Sequence, residues 1–230
     1  MTIRIFLLML LMLLMQGCAG NNSHPFQFKS LAKSDVDMVA DAHIKAVNAL
    51  VRELTIKLYK RNPRELSKGP AGIDVPRRLQ LLLDSPRLIS HPELGNRYGT
   101  DAIPLVFDPE FQGDRVFALM VGISGMLHAS YGYRDELFLL NELDQQKLYN
   151  SARNLEAIAW RLNNRRQADG APFLLTNGIT SSGVPNYSFE RIFGKLIAYQ
   201  DMMAQIVSDK TNRTIKSVVV GFASSTLLPI

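Results

Sequence analysis

The chain reads as mainly α-helical: a single domain of five or six helices around a central apolar helix at about residues 114–129, joined by long irregular loops. Three observations predict this. Apolar residues recur at alternating three- and four-residue steps over several long stretches, the period of one helix face. Residues suited to capping a helix stand at the head of these stretches, as Ser34, Asp114 and Asp144 do. Prolines fall between the stretches or at their starts, where a missing N–H costs least.

The first helix is expected from Ser34 to about Arg61. Val36, Ala40, His43, Val47, Leu50, Leu54 and Leu58 form one face of it. Asn62-Pro63 breaks it and starts a short turn of helix through Leu66, which ends before Gly69-Pro70. Residues 74–83 follow as another helix, with Pro76 near its start and Leu79, Leu82 and Leu83 on one side. Pro86, Pro92, Pro104 and Pro109 then make residues 85–113 mostly loop, with a short extended piece expected at 103–107. So long a connection is unusual inside a domain and marks a candidate functional loop.

Asp114 can cap the central helix, and no charged residue follows Arg115 until Arg134. Ala118, Gly122, Gly125 and Ala129 give it a face of small residues, beside the bulk of Val116, Leu119, Ile123 and Met126. A helix apolar on all sides is normally buried, and a small-residue face lets another helix approach closely. Tyr131-Gly132-Tyr133 closes it, and residues 136–140 fit either a strand or a short helix. Asp144 caps a helix to about Arg165, with Leu148, Ala152, Leu155, Ala159 and Leu162 inward. Residues 177–186 read as a Gly/Ser/Thr-rich loop. Ser188 opens a strong helix carrying Phe189, Ile192, Phe193, Leu196, Tyr199, Met203 and Ile206. A last short helix is expected around Ile215, Val218, Val219 and Phe222, with an apolar tail, Leu227 to Ile230, docked on the core.

Ahead of this body the composition changes. Met1 to Arg4 is a small basic start, residues 5–15 are an unbroken apolar run, and Gln16-Gly17-Cys18-Ala19 ends it. The run is too short to cross a bilayer, which takes about 20 apolar residues, and its length suits a signal h-region. The segment resembles a bacterial lipoprotein signal. The resemblance covers only the first twenty residues and departs from the pattern at Met15 and Gln16, where Leu and a small residue are favoured. It implies removal of residues 1–17, diacylglyceryl and acyl (palmitate-type) chains on Cys18, a tether over 18–33, and a helical periplasmic domain over 34–230. Ala19 in place of an Asp after the cysteine implies the outer membrane of a Gram-negative envelope, on its periplasmic face. Anchoring by more than one acyl chain is stable where a single chain is not.

Charged residues make up 20 % and hydrophobic residues 47 %, an ordinary globular balance. With no cysteine beyond Cys18, internal disulfides, thiolate catalysis and cysteine-ligated metals are excluded. The net charge is +5, and basic residues gather at Lys57, Lys60, Arg61, Arg64 and Lys68, at Arg77 and Arg78, and at Arg161, Arg165 and Arg166. A periplasmic address argues against nucleic acid, leaving anionic lipid, a cell-wall polymer or an envelope protein as the partners such charge suits. The plainer reading is that these are solvated helix ends.

Enzyme motifs are weak. The 4 histidines, His24, His43, His91 and His128, contain no zinc spacing, and no cofactor or metal is expected. His43 with Asp37 and Asp41 is the nearest thing to a ligand cluster, but Asp41 and His43 point about 200° apart on their helix, so His43 reads as a satisfied core histidine. His128 reads as hydrogen-bonded near Tyr131 and Tyr133. Ser124 lies mid-helix, and Ser181-Ser182 lies in a loop with no nearby histidine. The acidic pairs Asp135/Glu136 and Glu142/Asp144 are ordinary surface chemistry. The expectation is a non-catalytic binding or scaffolding domain. The alternative is a periplasmic enzyme or small-ligand-binding domain, acting on cell-wall or lipid material, with a pocket lined by the loops at 85–113 and 177–186.

Overall fold

The computed structural model describes residues 35–137, 143–179, 183–218 and 226–230, all within one unit. The signal segment, Cys18, the tether and the Ser34 cap lie outside them. The protein is mainly helical, 61 % helix against 3 % strand, which bears out the fold class read from the sequence. The helices are α1 (Asp35–Arg61), α2 (Pro63–Leu66), α3 (Val75–Leu83), α4 (Ile103–Val106), α5 (Arg115–Ser130), α6 (Gln145–Asn164) and α7 (Ser188–Thr211). Two 3₁₀ turns, Pro92–Leu94 and Gly99–Ala102, precede α4. No helix among the described residues is long and apolar enough to cross a membrane.

The centre is α5. All its residues from Arg115 to Ser130 are buried, as expected of a helix with no polar stripe. Around it α1, α6 and α7 turn inward the faces their periodicity marks, with Leu54, Leu58, Leu148, Leu155 and Leu196 all at 0 % exposure. The predicted caps Asp114 and Asp144 form, accepting from Phe117 and from Gln146 and Lys147, and Asp74 also caps its helix, accepting from the Arg77 N–H. The tail docks through Asn154, whose side chain bonds both backbone groups of Leu228 at 2.7 and 2.9 Å.

Four expectations fail. Residues 103–106 are not extended but helical, because Pro104 falls at the first turn, where its fixed φ favours a helix. The small-residue face of α5 receives a turn rather than a helix. The Gly99–Ala102 turn lies so close that a Cβ on Gly125 would sit 2.8 Å from the Gly99 nitrogen. Residues 213–218 are not helical, since Asn212 closes α7 in the left-handed conformation (φ 55°); Val219 and Phe222 lie outside the described residues. The loop at 177–186 contains a minimal antiparallel pair, Gly178–Ile179 with Pro185–Asn186. Residues 138–140 and Glu142 also lie outside what is described.

The basic clusters divide by burial. Lys60, Arg61, Arg64, Lys68, Arg77 and Arg166 are exposed, whereas Arg161 is 2 % exposed and Arg78 0 %. Arg78 is therefore not a surface charge. Its guanidinium forks onto Glu93 at 2.6 and 2.7 Å, meets Asp114 Oδ2 at 3.1 Å, and stacks 3.8 Å over the Phe117 ring. Tyr59 of α1 donates to the same Asp114 oxygen at 2.7 Å, and Asp114 Oδ1 accepts the Phe117 N–H at 2.9 Å. Burial pushes the Asp114 carboxyl above its ordinary range, although the Phe117 N–H, Tyr59 and Arg78 all pull it down. Beside it, Glu65 accepts the Arg115 N–H at 2.8 Å.

Two stability measurements test this frame. Arg78→Met should cost about 3–5 kcal/mol in urea unfolding, because it leaves the buried Asp114 carboxylate without its counter-charge and Glu93 without its partner. Asp114→Asn keeps the cap of α5 through its single amide oxygen, but its NH2 group then faces the Tyr59 hydroxyl and Arg78, so it too should destabilise the fold. A loss below about 1 kcal/mol for Arg78→Met would put it on a par with a surface pair. Gly125→Ala should lower stability by about 1–3 kcal/mol through overpacking, because the Gly99 nitrogen and Cα that it meets are backbone and cannot rotate away. An unchanged midpoint would show that the turn yields freely.

Candidate functional site

The first part of the proline-rich loop crosses the C-terminal end of α5 and encloses a pocket of about 520 Å³. This lies within the roughly 300–1,000 Å³ usual for small-molecule sites. Ser85, Arg87, Ile89 and Tyr98 come from the loop, His128 from the last turn of α5, and Tyr133 and Asp135 from the chain just after it. The loop lines a pocket, which it does not share with the described residues of 177–186. Residues 184–186 of that loop line a separate surface hollow with Tyr187 and Arg191. The sequence places the two loops far apart and cannot tell which helix end each one covers.

Arg87 is the fixed point of the pocket. Its side chain is 4 % exposed and donates to the Leu82 carbonyl at 3.3 Å, the Asn48 amide oxygen at 3.0 Å and Asp135 Oδ1 at 3.3 Å. These bonds tie α3 and α1 to the segment after α5. Asp135 keeps 32 % of its side chain exposed. Burial would raise its pKa, but the Ser85 hydroxyl, Arg87 and His128 outweigh this and hold it below the ordinary carboxylate value. At neutral pH Asp135 is an ionised acceptor whose charge Arg87 balances.

His128 pairs with the tyrosine segment that follows it, as expected: its carbonyl accepts the Tyr133 N–H at 2.9 Å. Its Nε2 stands 3.9 Å from Asp135 Oδ1. The imidazole also packs on the Tyr133 ring in a T-shaped arrangement, 5.5 Å between centroids. Burial and then the Arg87 charge pull its pKa down to about 4, against an opposing pull from Asp135. It is neutral at physiological pH. Tyr133 itself adopts φ 59°, uncommon for a bulky residue, which turns its ring over the pocket while leaving it 59 % exposed.

Ser85, His128 and Asp135 name the residue types of a hydrolytic triad, but their order in space is wrong. The serine bonds to the carboxylate rather than to the imidazole, so no base is placed to take its proton. A histidine whose pKa is about 4 is also a feeble base near neutrality. The arrangement suits binding.

The other sequence candidates disperse. His43 is a core residue, edge-on to Tyr199 at 5.3 Å, although its Nδ1 has no partner. Asp41 accepts the Leu137 N–H at 2.9 Å. No group of three or more His, Cys, Asp or Glu able to hold a metal occurs among the described residues. His91 is buried against Phe117 at 5.0 Å. Ser124 is buried within α5, and Asp144 is a cap. Ser181, Ser182 and His24 lie outside the described residues.

Three neutral, buried histidines give the fold a defined acid sensitivity. Burial lowers the pKa values of His43, His91 and His128, the last to about 4 from an ordinary 6.5. Below about pH 6.5 the unfolded chain takes up protons that the folded chain refuses, so stability falls with pH towards about pH 4. Unfolding midpoints taken from about pH 7 down to about pH 5, above the carboxylate range, should decrease. His128→Gln should flatten that slope. A slope identical in wild type and variant would mean that His128 titrates normally.

No family model, no curated protein and no solved structure matches this chain.

Proposed function

We propose that the protein is an envelope lipoprotein, held by acyl chains on Cys18 at the periplasmic face of the outer membrane. Its helical body is a non-catalytic binding or scaffolding domain. The observation that carries the anchor is the N-terminal pattern: a basic start, an apolar run over residues 5–15, and Gly17-Cys18-Ala19 directly behind it. Support for a binding body comes from the pocket at the end of α5, where the charges of Arg87 and Asp135 balance and the imidazole is neutral. The exposed cations on the same body, Lys60, Arg61 and Arg64 among them, suit an anionic lipid, cell-wall polymer or envelope protein as partner. A second reading, a small-ligand-binding domain, draws on the pocket alone. Enzymatic turnover of cell-wall or lipid material is less well supported, because Ser85 bonds to the Asp135 carboxylate and not to the imidazole.

The anchor is tested by metabolic labelling with radioactive palmitate. Wild type should be labelled, and Cys18→Ser should lose the label and leave the membrane fraction. Label retained by the serine variant would refute lipidation at this site. Crosslinking in intact envelopes tests the scaffold, which fails if no envelope component is captured while the purified protein turns over a cell-wall or lipid substrate.

A further inference from the structure

We infer that the pocket between the proline-rich loop and the end of α5 binds an uncharged, hydroxyl-bearing ring, a sugar ring being the fitting chemistry. This rests on the small-ligand reading of the same pocket and is independent of the anchor. Three features of the lining select the ligand. The first is charge. An anion entering the pocket meets the partly exposed Asp135 carboxylate before it meets Arg87, which is almost wholly buried and already committed to Leu82, Asn48 and Asp135. A cation would approach a carboxylate whose charge Arg87 already balances at 3.3 Å. Neither sign of charge is favoured.

The second feature is the polarity of the floor. Asp135 is ionised, partly exposed and limited to accepting hydrogen bonds. A wholly apolar occupant would strip water from that carboxylate and give nothing back. A hydroxyl group donates to it and can accept in turn from the hydroxyls of Tyr98 or Tyr133, both in the lining. The third feature is the walls. Ile89 and Tyr133 are each 59 % exposed, and with Tyr98 they present apolar and aromatic surface on the solvent side of the pocket. A pyranose has hydroxyls at its edge and C–H groups on its face, so one molecule satisfies floor and walls together. The left-handed backbone of Tyr133 is what brings its ring to that position.

The test compares three congeners sharing one ring, by saturation-transfer NMR on the full chain in a zwitterionic, sugar-free detergent. N-acetylglucosamine is neutral, glucosamine is cationic and glucose 6-phosphate is anionic; p-cresol serves as an apolar probe. N-acetylglucosamine should bind about tenfold more tightly than either charged congener and more tightly than p-cresol. Asp135→Asn should weaken it about tenfold, through loss of a charge-assisted hydrogen bond. Tyr133→Asn should weaken it several-fold through loss of the ring, and asparagine tolerates the positive φ there, so the fold is kept. Equal or tighter binding of a charged congener, binding of p-cresol alone, no binding of N-acetylglucosamine, or binding indifferent to Tyr133→Asn each overturns the inference. These outcomes leave palmitate labelling at Cys18 and crosslinking in envelopes untouched, so failure here is distinguishable from failure of the broader reading.

Discussion

The architecture depends on the contact of Arg78 with Asp114 at the head of the central helix. Four pieces of chain converge there. Tyr59 brings α1, Arg78 brings α3, Glu93 brings the first 3₁₀ turn, and Asp114 is the cap of α5. A buried pair of charges is costly to desolvate and offsets that cost only when its remaining donors and acceptors are met. Here they largely are, because the guanidinium forks onto Glu93, faces Asp114 and lies over Phe117, while Asp114 also accepts from Tyr59 and a backbone N–H. Apolar packing alone would let α5 slide along its axis. The directional bonds at its head fix where it starts, and therefore where its other end falls.

At that other end the same two residue types meet under different conditions. Arg87 and Asp135 are 3.3 Å apart, close to the 3.1 Å of Arg78 and Asp114, but Asp135 keeps 32 % of its side chain in solvent where Asp114 keeps 0 %. Burial decides what each carboxylate is for. Asp114 has its lone pairs consumed inside the fold and its pKa raised, whereas Asp135 is held ionised with capacity to spare. One pair locks the helix in place, and the other furnishes the floor of a pocket.

Much of the frame was legible in the sequence, because helix faces and caps are local signals. The inward stripe of α1, the caps Asp114 and Asp144, and the fully buried α5 all followed from spacing and residue type. The site was not legible, because its residues meet through tertiary packing. Arg77 and Arg78 are adjacent in sequence, yet one is exposed and the other fully buried, and only the turn of helix between them and the core separates the two fates. His128 was expected to be hydrogen-bonded near the tyrosines that follow it, and its carbonyl does accept the Tyr133 N–H, while the T-shaped contact of the two rings is tertiary and carries no local signal. The proline pattern did mark residues 85–113 as a loop of possible function, since length and punctuation are local as well.

The small residues of α5 join these two levels. Gly125 was read as a contact for a neighbouring helix, and its neighbour is the turn that begins at Gly99. Gly99 itself has φ 56°, a conformation open to glycine at little cost, and its nitrogen lies where a Cβ on Gly125 would have to go. The residue immediately before it, Tyr98, is a wall of the pocket, and its ring carbon Cε1 would lie 2.9 Å from that same Cβ. The depth at which Tyr98 stands in the pocket is therefore set by the absence of a side chain on the central helix. Core and site share that contact, so a substitution at Gly125 acts on the packing of α5 and on the width of the pocket through one displacement of the same turn.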